Sequence, residues 1–133
     1  MSQEIIALNN HQIVLTTGVY DLVIEHIRRK KVTPLEEKIL TLQLKKAMQV
    51  PRKSLSASVV TTDTCVTIKD QASDCTETYV FVAPDKAKKK NNTHSILTPM
   101  GLALVGCKEG DMITWAFETG VKQIEILNVK RLF

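Results

Sequence analysis

The sequence predicts an α+β fold in which a short N-terminal antiparallel helical hairpin precedes a small antiparallel β-sheet that carries one short helix. Three observations predict it. Apolar residues recur at the helical spacing of about 3.6 residues over much of 17–50. After residue 58 they alternate with polar residues, which is typical of half-buried strands. Between two of these strands stands a short segment that has a helix-start signal and a helix-stop signal.

The chain has 133 residues, enough for one ordinary domain or for a small domain with a helical appendage. We predict a lead-in and hairpin over 1–52 and a sheet domain over 58–133, joined by a polar linker. The apolar runs are too short for a membrane span, and the first residues lack the pattern of a secretory signal. We therefore expect a cytoplasmic protein without a membrane partner.

The residue types that most often bind metals are scattered. Three cysteines and three histidines are widely separated in the sequence: Cys65, Cys75, Cys107, His11, His26 and His94. They lack the spacing of zinc ligands, so the thiols are interpreted as reduced apolar fillers. No glycine-rich phosphate loop or catalytic triad order is recognisable either. The sequence therefore predicts no metal, no cofactor and no small-molecule substrate.

The first predicted helix begins at Thr17, after a lead-in over 1–16 whose pattern fits strand or helix, with an extended or irregular segment favoured. Its apolar face is formed by residues at helical spacing: Val19, Leu22, Val23, His26 and Ile27. A basic cluster closes the helix: Arg28, Arg29, Lys30 and Lys31. The helix dipole favours positive charge at this end.

The second predicted helix has a clear start signal. Thr33 suits the N-cap, Pro34 suits the first helical position, and Glu36 suits the return partner of a capping box. We expect this helix to end at Pro51, because a proline cannot continue it. Two helices of about 15 residues joined by a short turn form an antiparallel hairpin about 22 Å long.

Alternating residues predict strands in the second half of the chain: Cys65–Lys69, Thr76–Ala83, Ser95–Leu97, Met112–Phe117 and Val121–Lys130. The alternation fails along the last strand. There Ile124 and Ile126 continue one face, whereas Leu127 and Val129 continue the other. We expect a β-bulge or a doubly buried strand end at this point.

The short helix between the strands has both of its ends marked. Thr98 suits the N-cap and Pro99 the first helical position, while Gly106 can adopt the left-handed conformation that ends a helix. Three residues fall on the face that we expect to lie on the sheet: Met100, Ala103 and Leu104.

This helix carries a resemblance to a known family. The stretch Thr98-Pro-Met-Gly-Leu-Ala-Leu-Val-Gly-Cys-Lys-Glu-Gly-Asp111 resembles the Ser-Pro-x-Gly-x-Ala-Leu-x-Gly-x-x-x-Gly-Asp signature of Gre-type transcript-cleavage factors (GreA/GreB). The resemblance extends over 58–129 and implies an FKBP-like domain, a curved antiparallel sheet around a short helix. Met112-Ile-Thr-Trp115 and the short hairpin look more like the relatives known as regulators of nucleoside diphosphate kinase.

The resemblance implies a bacterial transcription elongation factor that binds RNA polymerase at the rim of its secondary channel. By motif, the polymerase-binding residues are those of the loop that leads into the signature helix: Leu97, Thr98, Pro99 and Met100. The factor would modulate elongation or compete with cleavage factors. It would meet nucleic acid only indirectly, through the elongation complex.

The hairpin departs from the family in a way that argues against catalysis. In the cleavage factors a long hairpin carries acidic residues to the polymerase active centre, where they help to hold magnesium. Here the hairpin is about half the length needed. Glu36 and Glu37 lie near its tip, but helix capping is the favoured interpretation of both. We therefore expect a protein that is not an enzyme and does not stimulate transcript cleavage.

Two basic segments are further candidates. The hairpin-tip cluster 28–31 suits an electronegative channel, although completion of the helix is the favoured interpretation. The second segment could contact nucleic acid or an acidic surface, although a solvated loop is favoured: Lys86, Lys88, Lys89 and Lys90. Two other functions remain open, an FKBP-like interaction module for another protein or RNA and, less favoured, a prolyl isomerase.

Overall fold

The computed structural model of the chain describes residues 12–117 and 119–132, so most of the predicted lead-in lies outside the described residues. The last part of the lead-in forms strand β1, Val14–Thr16, and is extended as expected. Helix α1 follows over Thr17–Arg28, and the Thr16 hydroxyl caps it by accepting from the Val19 amide at 3.3 Å. No helix within these described ranges is both long and apolar enough to cross a membrane.

Helix α2 spans Pro34–Lys46 and starts as predicted. The Glu36 amide donates to the Thr33 hydroxyl at 3.1 Å, and the Thr33 amide donates to the Glu36 carboxylate at 3.0 Å. The predicted capping box is therefore confirmed.

The two helices run antiparallel, as predicted. Tyr20 near the start of α1 and Lys45 near the end of α2 line the same groove, as expected for this arrangement.

The predicted end of α2 at Pro51 is wrong. The helix stops at Lys46, and Met48–Val50 forms strand β2, which pairs in parallel with β1. The Met48 amide donates to the Ile13 carbonyl oxygen at 2.9 Å, so a strand ladder satisfies this backbone in place of a further helical turn. The residue before a proline is in any case disfavoured in a helix. The two helices have 12 and 13 residues, fewer than predicted.

The second half of the chain forms a five-stranded sheet, whose strands in chain order are β3 Thr64–Asp70, β4 Cys75–Val82, β5 Thr93–Ser95, β6 Met112–Phe117 and β7 Gly120–Arg131. Their spatial order in the sheet is β5-β4-β3-β7-β6. The α+β class is confirmed, but the sheet is mixed and not wholly antiparallel, because β5 runs parallel to β4. Two single-turn 3₁₀ helices, Pro84–Lys86 and Lys89–Asn91, bring the chain back alongside the end of β4.

The predicted irregularity in β7 is a β-bulge at Leu127. The register of β7 on β3 shifts so that Thr67 faces Asn128 while Ile68 faces Ile126. Leu127 is left outside the ladder and is 39% exposed, whereas Ile126 is fully buried. The extra residue lets the apolar residues on both sides of the bulge face the core.

One apolar core runs through the hairpin and the sheet. Its buried cluster has members from both parts of the chain: Val19, Val23, Ile39, Leu40, Val66, Phe81, Ile113, Trp115 and Ile126. The division into 1–52 and 58–133 stays a prediction. Burial of the inner face of the hairpin nevertheless means that the hairpin is held against the rest of the molecule.

Candidate functional site

The loop before the short helix is held in one conformation by its own hydrogen bonds. The Thr98 amide and hydroxyl both donate to the Ser95 carbonyl oxygen, at 3.1 and 2.9 Å. The same hydroxyl accepts from the Gly101 amide at 3.3 Å and so caps helix α3, Pro99–Leu104. The predicted contact residues are accessible, since Pro99 is exposed and three others are half-buried: Leu97, Thr98 and Met100.

Helix α3 is buried on more than the one predicted face. Ala103 and Leu104 are buried as expected, but Leu102 is also buried, while Met100 keeps part of its surface. Gly106 follows with φ of 82°, the left-handed conformation predicted to end the helix. The helix is therefore an anchored element, and its first turn is the part that reaches the surface.

The hairpin tip lies beside this loop, which brings two predicted regions onto one surface. A groove of 480 Å³, which we name the α1–loop groove, separates them. One wall is formed by α1 and the tip: Leu22, Glu25, His26, Arg29 and Lys31. The other wall is formed by residues that precede α3: Pro84, Ser95, Leu97 and Thr98.

A second groove, of 550 Å³, also runs between the tip and the sheet, and we name it the tip–strand groove. Across it Lys31 and Leu35 of the hairpin face Pro99 of the loop and Phe117 of β6. Lys31 lines both grooves. Lys31 therefore lies on the same surface as Thr98 and Pro99.

Most charges of the hairpin tip are paired. The Glu25 carboxylate forms ion pairs with Arg28 at 3.3 Å and with Arg29 at 3.0 Å. The Glu37 carboxylate forms one with Lys30 at 3.2 Å. These pairs are solvent-exposed and each contributes little to stability. Lys31 makes no ion pair with any residue that the structure describes. Among the four basic residues of the tip, Lys31 is the one without an ion pair, while Arg28 and Arg29 share the single carboxylate of Glu25.

The two carboxylates near the tip are engaged in the fold. Glu36 is 8% exposed, and its carboxylate accepts the Thr33 amide of the capping box. Glu37 is held by Lys30. Over residues 12–117 and 119–132, no group of three or more His, Cys, Asp or Glu side chains is placed to hold a metal ion.

His26 contributes a titratable side chain to the α1–loop groove. Burial lowers the pKa of its imidazole below the ordinary value of 6.5; the Glu36 carboxylate offsets this in part, and the Lys31 ammonium lowers the pKa further. The imidazole is therefore neutral at neutral pH. The positive charge of the groove comes from Arg29 and Lys31.

The lysines of the loop after β4 are exposed: Lys86, Lys88, Lys89 and Lys90. In the described part of the chain none of them forms an ion pair. The turn Pro84–Lys86 opens this loop, and Pro84 lines the α1–loop groove. Asp85 and Lys86 follow Pro84 in this turn, and their opposite charges leave this side of the groove without a net charge.

A smaller cavity of 210 Å³ lies between Met100 and the strands β3, β4 and β7. Tyr79 is the one aromatic side chain among the described residues that line it. Phe81 and Trp115 are fully buried. Phe81 and Trp115 therefore serve the core, and Tyr79 alone does not give the cavity the aromatic lining that the prolyl isomerase hypothesis requires.

The sequence alone does not mark the residues that connect the tip with the loop. Leu22 and Pro84 form the apolar part of the α1–loop groove, and Phe117 closes the tip–strand groove. No local motif marks such residues.

Comparison with known proteins identifies the class to which the sheet and its capped helix belong. Residues 55–131 match the family described as transcription elongation factor, GreA/GreB, C-terminal domain. The match covers more than half of the chain, and the chain belongs to this family. The predicted Gre-type resemblance is confirmed, whereas the closer likeness to regulators of nucleoside diphosphate kinase stays a prediction.

Individual relatives agree with this assignment. Transcription elongation factor GreA of Clostridium botulinum (strain Hall) is 35% identical over 99 residues, which are 73% of this chain and 62% of the relative. GreA of Clostridium kluyveri is 33% identical over the same shares. The chain thus spans less than two-thirds of these relatives. The solved structure of a GreA/GreB factor from Nitrosomonas europaea shares the fold, with a TM-score of 0.65, 24% identity and coverage of 91% of this chain and 99% of that chain.

Proposed function

We propose that this chain is a non-enzymatic factor that binds RNA polymerase at its secondary channel and modulates elongation in the bacterial cytoplasm. Residues 97–100 make the main contact, and nucleic acid is met only through the elongation complex. The observation that carries the proposal is the accessible, hydrogen-bonded loop at the start of α3, within the 55–131 segment that matches the family. The relatives are themselves named transcription elongation factors.

The chain does not stimulate transcript cleavage and competes with cleavage factors for their site. Helix α1 has 12 residues and is therefore about 18 Å long. Its tip lies beside the loop at Lys31 and Pro99. Glu36 is already bound in the capping box, and Glu37 forms an exposed ion pair with Lys30. Such an arm does not deliver a free carboxylate to an active centre far from the docking loop.

A pull-down with immobilised cognate core polymerase tests the binding. We expect Met100→Asp to weaken binding at least about tenfold, because it places a charge where the loop meets its partner. Pro99→Ala removes an exposed contact and should weaken it less. Met48→Asp is the matched control, since Met48 is a methionine 49% exposed on β2. Absence of wild-type binding at micromolar concentration would disprove the proposal and favour an interaction module for another partner.

A cleavage assay on backtracked elongation complexes tests the second part. We expect only the intrinsic cleavage of the polymerase, and we expect added chain to suppress the activity of a cleavage factor from the same bacterium. Magnesium-dependent cleavage that disappears in a Glu36→Gln/Glu37→Gln variant would overturn this expectation. Glutamine suits the comparison because it can still serve as the return partner of the capping box.

A further inference from the structure

The α1–loop groove has an apolar floor. Leu22 of α1 faces Leu97 and Pro84 across it, and its volume of 480 Å³ is enough for two or three side chains of a peptide. The walls belong to an α1 that is packed on the core through Val19 and Val23 and to a loop fixed by Thr98. The groove is thus preformed, which lowers the entropic cost of binding.

The rim of the groove is positively charged. Arg29 and Lys31 stand on the hairpin side, whereas on the other side Asp85 and Lys86 follow Pro84 and carry opposite charges. Glu25 is the acidic residue of the lining, and its carboxylate already bonds Arg28 and Arg29. The field over the groove is therefore positive, and it favours a partner that carries carboxylates or phosphates.

The lining favours a protein over a nucleic acid. Grooves for single strands combine basic residues with aromatic side chains on which bases stack. The described residues of this lining include no phenylalanine, tyrosine or tryptophan. Tyr20 of α1 lies in the groove between the two helices instead. The aliphatic floor and the basic rim of the groove together match a protein segment in which apolar and acidic residues alternate.

We infer that the α1–loop groove binds an acidic amphipathic segment of a protein partner, which inserts an apolar side chain between Leu22 and Leu97 while its carboxylates pair with Lys31 and Arg29. Where the partner is RNA polymerase, this inference rests on the proposed function and names the chemistry of the polymerase surface that the groove contacts. It assigns α1 a share of the contact along with the loop.

Titration of the ¹⁵N-labelled full chain with a peptide tests the groove without polymerase. The probe is a short helical peptide with leucines on one face and glutamates on the other, and the comparison is its analogue with lysines in place of the glutamates. We expect the acidic peptide to shift the amide signals of Leu22 and Leu97 and the basic analogue to leave them unchanged. Equal shifts with both peptides, or shifts confined to other surfaces, would overturn the inference. Stronger shifts of the same signals with an oligouridine would overturn it in favour of nucleic acid.

Charge reversal at the rim gives the matched comparison. Lys31→Glu should weaken peptide binding at least about tenfold, whereas Lys45→Glu, on the far groove between the helices, should leave it unchanged. The same pair of variants in the polymerase pull-down separates the two proposals. Polymerase binding that is insensitive to Lys31→Glu would refute the inference and leave the proposed function standing. Peptide binding without polymerase binding would support the inference about the groove and refute the proposed function.

Discussion

Gly101 and Ile96 approach each other so closely that the glycine has no room for a side chain. A Cβ atom on Gly101 would lie 2.2 Å from the Ile96 carbonyl oxygen. This approach holds the first turn of α3 against the chain that leaves β5, and it thereby positions the loop 97–100. The signature glycine is thus explained by contact, and its position needs no special backbone conformation.

Gly101→Ala is expected to lower the free energy of unfolding by about 2–3 kcal/mol, because the backbone of Ile96 or of α3 has to move. Gly18→Ala is the matched control, since no atom lies within 4 Å of the Cβ that it would add in α1. That variant should be unchanged or more stable by up to about 1 kcal/mol. Urea unfolding followed by circular dichroism measures both, and equal stabilities would contradict the steric argument.

Thr33→Ala is expected to lower the free energy of unfolding by about 1 kcal/mol. It removes the hydroxyl that accepts the Glu36 amide at 3.1 Å and so opens the capping box of α2. Thr33→Ser keeps the hydroxyl and should retain most of the stability. The same urea experiment compares the two variants, and a serine variant as unstable as the alanine variant would show that packing of the threonine methyl matters more than the cap.

Acid should destabilise the fold in part through His26. Burial, with the Lys31 ammonium nearby and against the attraction of Glu36, holds its folded-state pKa below 6.5. As pH falls through 6.5 the unfolded chain takes up a proton at this residue before the folded chain does. The unfolded state then binds more protons, so the free energy of unfolding falls with pH until the folded imidazole is also protonated.

The measurement is the free energy of unfolding of the wild type and of His26→Leu at about pH 7.5 and about pH 5.5. We expect a smaller loss on acidification in the variant, because the contribution of this imidazole is gone while those of the carboxylates remain. An identical loss in the two proteins would show that His26 does not couple folding to protons.

The three thiols should differ in their reaction with Ellman's reagent. Cys75 is exposed, Cys65 is half-buried, and Cys107 is 1% exposed. Burial, with a smaller effect of Asp111, raises the pKa of the Cys107 thiol and keeps it protonated. We expect Cys75 to react first in the native protein and Cys107 to react only on unfolding. Cys75→Ser should remove the fast phase, and rapid modification of Cys107 in the native state would reveal local opening.

Local chemistry made part of this fold predictable. The capping box at Thr33 and Glu36, the cap at Thr98 and the left-handed Gly106 depend on residues within a few positions of each other, and all three are present. The bulge at Leu127 was predictable for a related reason. A change of face along one strand is visible in the pattern of apolar residues alone.

Local sequence patterns do not predict which strands pair when they are far apart in the sequence. Strand β2 exists because Met48 bonds Ile13, a residue far away in the sequence, and the parallel direction of β5 depends on the path of the chain through Pro84–Lys86. The candidate site has the same character. The motif alone singles out Leu97 and Thr98. Their position beside Lys31 depends on how the hairpin packs on the sheet.

The parallel pairing of β1 with β2 means that the chain enters and leaves the hairpin at adjacent points. A hairpin inserted in this way can be extended or exchanged while its attachment to the rest of the molecule stays the same. Each added turn in both helices would lengthen the arm by about 5.4 Å. The length of the hairpin can therefore change in evolution without a change in the rest of the fold. Protein engineers could graft a longer hairpin here to convert a binding module into one that acts at a distance.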